Sequence, residues 1–305
     1  AVNELLGDGV DVYRKSDGDF FIENGDIDKL KDLSKAYNVS FIGTSKNLAE
    51  GATKLSTPKV GIYKSWRANM DEGWTRWVLE QYHFKVDTLH NEDVQDGNLN
   101  QYTAIIIPSQ SGTSILHGYT DNTYPEKYSG GIGLNGTLAL KKYVENGGRI
   151  IALDQSSDFI IQQLGLPIRN VVQNTPSTSF FIPGSLVQID VETGNPLTYG
   201  VQEKSVAYYV RSRAFDIVKL RETGEGGKET LKQKPPKQPV TVLARYAKEN
   251  ILLSGWAMGE KKNIGGKIAM AEVTLGSGSV ILVGFRPQFR GQPRNTFKLL
   301  FNSLY

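Results

Sequence analysis

Three short runs with apolar residues on both faces, VGIY (60–63), AIIIP (104–108) and RIIALD (149–154), constrain this chain more than any other feature. A strand with one wet face alternates apolar and polar residues, whereas a continuously apolar strand belongs to a parallel sheet covered on both sides. Helical periods fall between the runs. The segment NMDEGWTRWVLEQY (69–82) sets Met70, Trp74, Trp77, Val78 and Gln81 on one face, with Asn69 as cap and Glu72 as its box partner. GGIGLNGTLALKKYVENGG (130–148) is a second helix, stopped by Gly147 and Gly148, and FIIQQL (159–164) is a shorter one that Ser157 can cap. A further strand is expected near Phe84 to Val86. Strand and helix alternating at this spacing predict a doubly wound α/β domain with a mostly parallel sheet.

The flanking regions read differently. Residues 1–57 form a small α/β unit: a helix through Val2, Leu5 and Leu6, strands at 10–14 and 19–22, a helix through Ile27, Leu30, Leu33 and Ala36, and a strand VSFIG at 39–43. Because the first helix is met already under way, the chain reads as a piece of a longer polypeptide. The polar stretch from Thr44 to Pro58 is a linker, and 58–305 is the main domain. From about 171 to 275 short β runs (SFFIPG, SLVQIDV, SVAYYV, VTVLARY, NILLSGW, KIAMAEVTL) predict a β-rich insertion. Within it, residues 221–239 mix charge, Gly and Pro without apolar period and read as an exposed loop; Lys232, Lys234 and Lys237 there are solvated or meet acidic partners. GSGSVILVGF (276–285) and NTFKLLFNSLY (295–305) return a strand and a helix to the first sheet.

Composition narrows the chemistry. Lys and Arg number 35 against 32 Asp and Glu, a net charge of +3 with the signs interleaved, so no basic stripe offers itself to nucleic acid. No uncharged apolar run approaches the roughly 20 residues of a membrane span, so no membrane partner is expected. With Cys 0, thiolate nucleophiles, disulfides and thiolate metal sites are excluded, and the three histidines, His83, His90 and His117, are too scattered for a metal site. Gly131, Gly133 and Gly136 spell GxGxxG, but no strand directly precedes them, so they read as a helix-entry loop and no cofactor is expected.

Several segments are more particular: YKSWRANMDEGWTRWVLEQY, GNLNQYTAIIIPSQ, GGIGLNGTLALKKYVENGGRIIALD, FFIPGSLVQIDVETGNPLTYG, LLSGWAMGE and VGFRPQFRGQPRNTFKLLFNSLY. Together they resemble the C-terminal region of large bacterial polypeptides whose N-terminal part is a zinc carboxypeptidase-like metallopeptidase of the carboxypeptidase A type. The resemblance covers nearly the whole chain. It implies a class I glutamine amidotransferase-like fold with a flavodoxin-like sheet, a secreted, periplasmic or cell-surface location, and the peptidase domain of the same polypeptide as a partner. The cysteine such a fold uses would fall just past RIIALD, where Asp154, Gln155 and Ser156 stand, so thiolate glutaminase chemistry is excluded. The peptidase's zinc signature is absent as well.

Residues just beyond the parallel strands should face one crevice. Trp66 and Arg67 there stack on and pair with a ligand, or simply pack; Asp71 and Glu72 bind it, or favour a helix start. Ser109, Gln110 and Gln155 are further ligand candidates. Ser156 beside Asp154 reads as a cap or, with His117 as base, as a hydrolase nucleophile. His83 and His90 read as structural. Arg286 and Arg290 bind an anion or tie their loop to the body. The leading expectation is a non-catalytic, amidotransferase-like accessory module that binds a peptide, a glycan or the peptidase; the alternatives are the Asp154, Ser156 and His117 hydrolase, and a partner-binding surface in the β insertion.

One consequence is directly measurable. Purified protein should carry no stoichiometric zinc, because three separated histidines cannot build a tetrahedral site. Metal analysis after dialysis checks this, and one retained zinc per chain held by His83, His90 or His117 would overturn it.

Overall fold

In the computed structural model, residues 1–120, 123–218, 220–223, 229–234 and 238–305 are described. The chain opens with α1 (Val2–Gly7), β1 (Asp11–Arg14), β2 (Phe20–Glu23), α2 (Ile27–Tyr37) and β3 (Thr53–Lys54). These make a three-stranded sheet in the order β2-β1-β3, with its own core of Leu5, Leu6, Val12, Leu33 and Leu55. The third strand comes from the polar segment read as linker. The VSFIG run stays irregular because it finds no partner, leaving Ile42 exposed.

The main body continues with β4 (Val60–Tyr63), α3 (Met70–Gln81), β5 (Val86–Leu89), α4 (Asn91–Asp96), β6 (Ala104–Ile107), α5 (Gly112–His117), α6 (Gly133–Glu145), β7 (Arg149–Leu153), α7 (Gln155–Leu164) and β8 (Ile168–Asn170). Next come β9 (Ser185–Val191), β10 (Lys204–Tyr209), β11 (Phe215–Ile217), β12 (Leu220–Thr223), β13 (Glu229–Lys234), β14 (Val240–Tyr246) and β15 (Leu252–Ser254). The chain closes with α8 (Glu260–Asn263), β16 (Ile268–Leu275), β17 (Gly278–Val283) and α9 (Phe297–Asn302). Strands β5-β4-β6-β7-β17 lie side by side and parallel. Taken in chain order that is 2-1-3-4-5, the flavodoxin-like arrangement, whose switch point lies between the first and third strands, here β4 and β6. Beyond β17 the sheet continues antiparallel through β16, β14, β9 and β10, so the β-rich segment extends the same sheet.

Period-two alternation splits the parallel strands between two cores. Ala104, Ile106, Ile151, Leu153, Ile281 and Val283 face one, with Leu79 of α3 and Leu299 and Leu300 of α9. Ile105, Ile107, Ile150, Ala152, Val280 and Leu282 face the other, with Val94, Ile115, Leu140, Val144 and Ile160 from α4 to α7. The change of face between α3 and α4 accompanies the chain's reversal at the switch point. Among the described residues, no helix is long and apolar enough to cross a membrane.

Local readings need three corrections. The buried face of α3 is Asp71, Glu72, Thr75, Val78 and Leu79, while Met70 and Trp77 are exposed. Polar partners elsewhere in the fold bury a polar face, which apolar periodicity cannot reveal. Asn69 caps α3 by accepting from the Asp71 N–H at 2.9 Å, but Glu72 accepts from Arg76 instead of completing a box. Finally, part of the 221–239 stretch is a two-stranded antiparallel sheet of β12 and β13, which places Lys232 and Lys234 on a strand; residues 224–228 and 235–237, Lys237 included, lie outside the described residues.

The GxGxxG glycines serve packing. Gly133 has φ +57° at the start of α6, and a Cβ on Gly131 would lie 2.4 Å from the Ile115 carbonyl oxygen. Gly131→Ala should therefore cost about 1–3 kcal/mol, since main chain cannot yield as a side chain can, and more than Gly73→Ala in α3, which meets open space and has no positive φ to strain. Urea midpoints of the two variants compare them; equal losses would mean the α5–α6 contact is not close-packed.

Candidate functional site

The turn after β7 is strained. Asp154 has φ 48° and ψ −111° at the N-cap of α7, a conformation that costs about 1–3 kcal/mol and persists only where surrounding structure enforces it. A sharp strand-to-helix turn of this kind is how α/β enzymes raise a nucleophile at the end of a sheet. Here it holds a fully buried carboxylate.

Asp154 Oδ2 accepts from Arg286 Nη1 at 2.6 Å and from Ser109 Oγ at 3.0 Å, while Oδ1 lies 3.7 Å from Arg213 Nη1. Arg286 Nε donates to Asp71 Oδ1 at 2.9 Å, and Arg213 Nε donates to Asp158 Oδ2 at 2.9 Å. The result is a chain of alternating charge, Asp71, Arg286, Asp154, Arg213, Asp158, running from α3 across the end of the sheet to α7. Burial pushes the Asp154 carboxyl above the usual carboxylate range, against the pull of Arg286, Arg213 and the Ser109 hydroxyl. Burial also raises Asp71, opposed by Arg286 and Arg290.

The rest of the elbow is equally occupied. The Gln155 N–H, positioned where an oxyanion would be received, donates to Ser109 Oγ at 3.3 Å. Ser156 is fully buried; its hydroxyl donates to the Ile107 carbonyl at 2.6 Å and bonds the Leu153 backbone, tying β6 to β7. It is neither a cap nor an accessible nucleophile. Ser157 likewise spends its hydroxyl on the Ala152 carbonyl and does not cap α7. His117 is exposed at the end of α5, so the Asp154, Ser156 and His117 hydrolase constellation is not assembled.

At the switch point, Trp66 stacks on His90 with ring centroids 3.9 Å apart and meets Tyr128 in a T-shaped contact, and its Nε1 donates to Glu92 at 3.3 Å. His90 is thus part of this aromatic shelf. Arg67 donates to the Gly118 carbonyl at 3.3 Å and lies over the Tyr119 ring; it does not pair with Asp154. Gln110 has a buried Oε1 without a hydrogen-bond partner among the described residues. Glu72 pairs with Arg76 and is not free for a ligand. Arg286 ties its loop to the body, whereas Arg290 is exposed and lies over Phe289. Arg213 and Asp158 carried no sequence signal: their pairing spans 55 positions.

Beside the elbow opens a cleft of about 540 Å³, lined among others by His117, Gln155, Asp158, Gln162, Gln163, Gln173, Asn174, Arg211 and Arg213. The carboxamides of Gln155, Gln162, Gln163, Gln173 and Asn174 make no side-chain hydrogen bond among the described residues, so each keeps donors and an acceptor for a ligand. The groups that line this cleft can bind; of its hydroxyls, Ser212 is buried, and Thr113 makes no hydrogen bond to His117 among the described residues. No group of three or more metal-ligating side chains is found among the described residues.

Arg286→Met leaves two buried carboxylates without their shared cation and should cost about 3–5 kcal/mol at neutral pH. The sign of its pH dependence follows from the raised carboxyls: the folded state holds these protons more tightly than the unfolded chain, so stability falls as pH rises from about 4 through the folded values. Removing Arg286 raises those values further. The deficit of the variant should therefore shrink as pH is lowered toward about 5. Urea denaturation at both pH values decides it; a pH-independent deficit would mean Arg286 does not neutralise these carboxylates.

No protein-family model matches the chain, and no curated protein matches it. Among solved structures it is similar to a ThuA-like protein from Bacteroides uniformis, at 15% identity and a TM-score of 0.46, covering 86% of this chain and 94% of that one. It is similar to PurLQS from Thermotoga maritima at 17% identity and a TM-score of 0.47, covering 81% and 98% respectively. A cytoplasmic protein from Salmonella typhimurium gives 14% identity and a TM-score of 0.47, covering 81% of this chain and 97% of that chain.

Proposed function

We propose that this chain is a non-catalytic, amidotransferase-like binding module whose ligand is an uncharged polyhydroxylated molecule, a glycan. The observation that carries the reading is the elbow itself: its side chain is a fully buried aspartate paired with Arg286, and the neighbouring N–H is already bonded to Ser109. A nucleophile must be reachable by substrate, and this one is sealed by its own partners.

The adjacent cleft supports the choice of ligand. Carboxamides carry donor and acceptor without charge, which matches hydroxyl groups that both give and receive hydrogen bonds. The shelf of Trp66, His90 and Tyr128 stands at the same edge of the sheet and offers aromatic surface to the apolar face of a sugar ring. Of the two arginines that line the cleft, Arg213 is already paired with Asp158, while the exposed Arg211 lies over Phe181 and makes no ion pair among the described residues, so a peptide with a charged terminus is the direct rival that the titration below separates from the glycan. Work alongside a zinc carboxypeptidase domain is a further part of the proposal; its support is the sequence resemblance, and co-purification of the two domains tests it.

Calorimetric titration with oligosaccharides and with peptides of similar length distinguishes the ligands. Saturable binding of an oligosaccharide is expected, weakened about three- to tenfold by Gln163→Ala or Asn174→Ala, the scale of one net hydrogen bond. Turnover of an ester, amide or peptide substrate that disappears in Asp154→Asn would overturn the non-catalytic reading.

A further inference from the structure

A second cavity lies at the other end of the parallel strands, where Phe84 leads into β5, and shares no lining residue with the cleft beside the elbow. It occupies about 210 Å³ at the seam between the N-terminal unit and the main body. Arg14 of β1 and Phe20 of β2 form one side; Tyr199, Phe301 and Asn302 are on the other, and Tyr82 and Phe84 also line it.

Arg14 is the unusual member. It is only 6% exposed, yet no carboxylate among the described residues comes within 4.0 Å of its guanidinium. Its Nε is buried with no hydrogen-bond partner, and Nη1 reaches only Asn302 Oδ1, at the long distance of 3.4 Å. The Tyr199 ring lies 5.6 Å from the guanidinium carbon, which favours the cation without supplying an anion. Buried arginines stay charged and are ordinarily paired, so an unpaired one lining a cavity is a binding group lacking its anion.

We propose that this cavity binds a small monocarboxylate carried on an aromatic or apolar body, with Arg14 receiving the carboxylate. A guanidinium offers parallel N–H groups that match the two oxygens of a carboxylate. Lys298, whose Nζ donates to the Gly200 carbonyl at 2.8 Å, adds a second positive charge at the lining. The aromatic walls favour a ligand with an apolar body over a compact, strongly hydrated ion such as phosphate. The volume is below the roughly 300–1,000 Å³ of sites for drug-sized molecules and suits a single-ring acid. Because the walls come from both parts of the chain, an occupant would hold the N-terminal unit against the body.

Phenylacetate, phenylacetamide and inorganic phosphate serve as probes, each titrated calorimetrically into the full chain. Phenylacetate should bind saturably and raise the thermal midpoint, with phenylacetamide at least about tenfold weaker, a difference of about 1.4 kcal/mol. Phosphate should not compete. Arg14→Gln should abolish phenylacetate binding. Since that buried change can also impair folding, Phe20→Glu is the second variant: Phe20 is 45% exposed and sits directly opposite Arg14 in the β1–β2 register, so the new carboxylate would occupy the guanidinium. Folded Phe20→Glu protein should not bind phenylacetate. The proposal is overturned by equal affinity for phenylacetate and phenylacetamide, by phosphate displacing phenylacetate, by binding that survives in Phe20→Glu, or by no saturable phenylacetate binding to the native chain.

Discussion

The carboxylate of Asp154, buried at the end of β7 between Arg286 and Arg213, is the contact on which the rest of this edge of the molecule depends. A carboxylate withdrawn from water is tolerable only with close cations and hydrogen bonds, and those partners must come from wherever the fold can bring them. Arg286 arrives from the loop after β17, and Arg213 from the segment before β11. Each arginine is itself held by a second acid, Asp71 from α3 and Asp158 from α7. Four regions remote in sequence are thereby joined at one point, beside the Asp154 backbone at φ 48°.

That internal pairing, which leaves the buried Asp154 Oδ1 3.7 Å from Arg213 without a hydrogen bond, separates geometry from chemistry. A strained elbow at the end of a central strand is costly to maintain, and enzymes that keep one use it to present a reactive group. This chain keeps the turn but fills it with its own ion pairs, and Ser109 occupies the neighbouring N–H. In the proposed binding reading, recognition falls to surfaces that the network positions without consuming. The carboxamides on and after α7 are of this kind, and so is the Trp66 and His90 stack across the switch point.

Much of the architecture was legible in the sequence. The apolar runs at 60–63, 104–107 and 149–153 are strands, and the GSGSVILVGF segment returns beside β7 as a parallel neighbour. Of the ligand candidates named at the strand ends, Gln155 lines the cleft beside the elbow, whereas Trp66, Arg67, Ser109 and Gln110 do not. Other parts were not legible. Met70, Trp74 and Trp77 suggested an apolar core face for α3, yet its buried face includes Asp71, Glu72 and Thr75; Asp71 answers Arg286, and Thr75 bonds Gln288, more than two hundred positions away. His90 looked like a strand-flanking residue until the fold set its ring against Trp66. The VSFIG run had strand composition but no partner, while the polar Thr53 and Lys54 found one in β1.

By itself, then, the sequence determined what contacts between near neighbours decide: that the apolar runs at 60–63, 104–107 and 149–153 extend, that the segments of α3, α6 and α7 coil, that Gly147 and Gly165 follow the ends of α6 and α7, and that no cysteine stands at the elbow. These follow from steric and periodic rules that act within a few residues. Tertiary structure alone decided that Asp154 is sealed rather than exposed, that Arg286 and Arg213 share it, and that Arg14 is left buried without an anion. The physical reason is that desolvation and ion pairing depend on what lies within a few ångströms in space, and for these residues those neighbours come from distant parts of the chain.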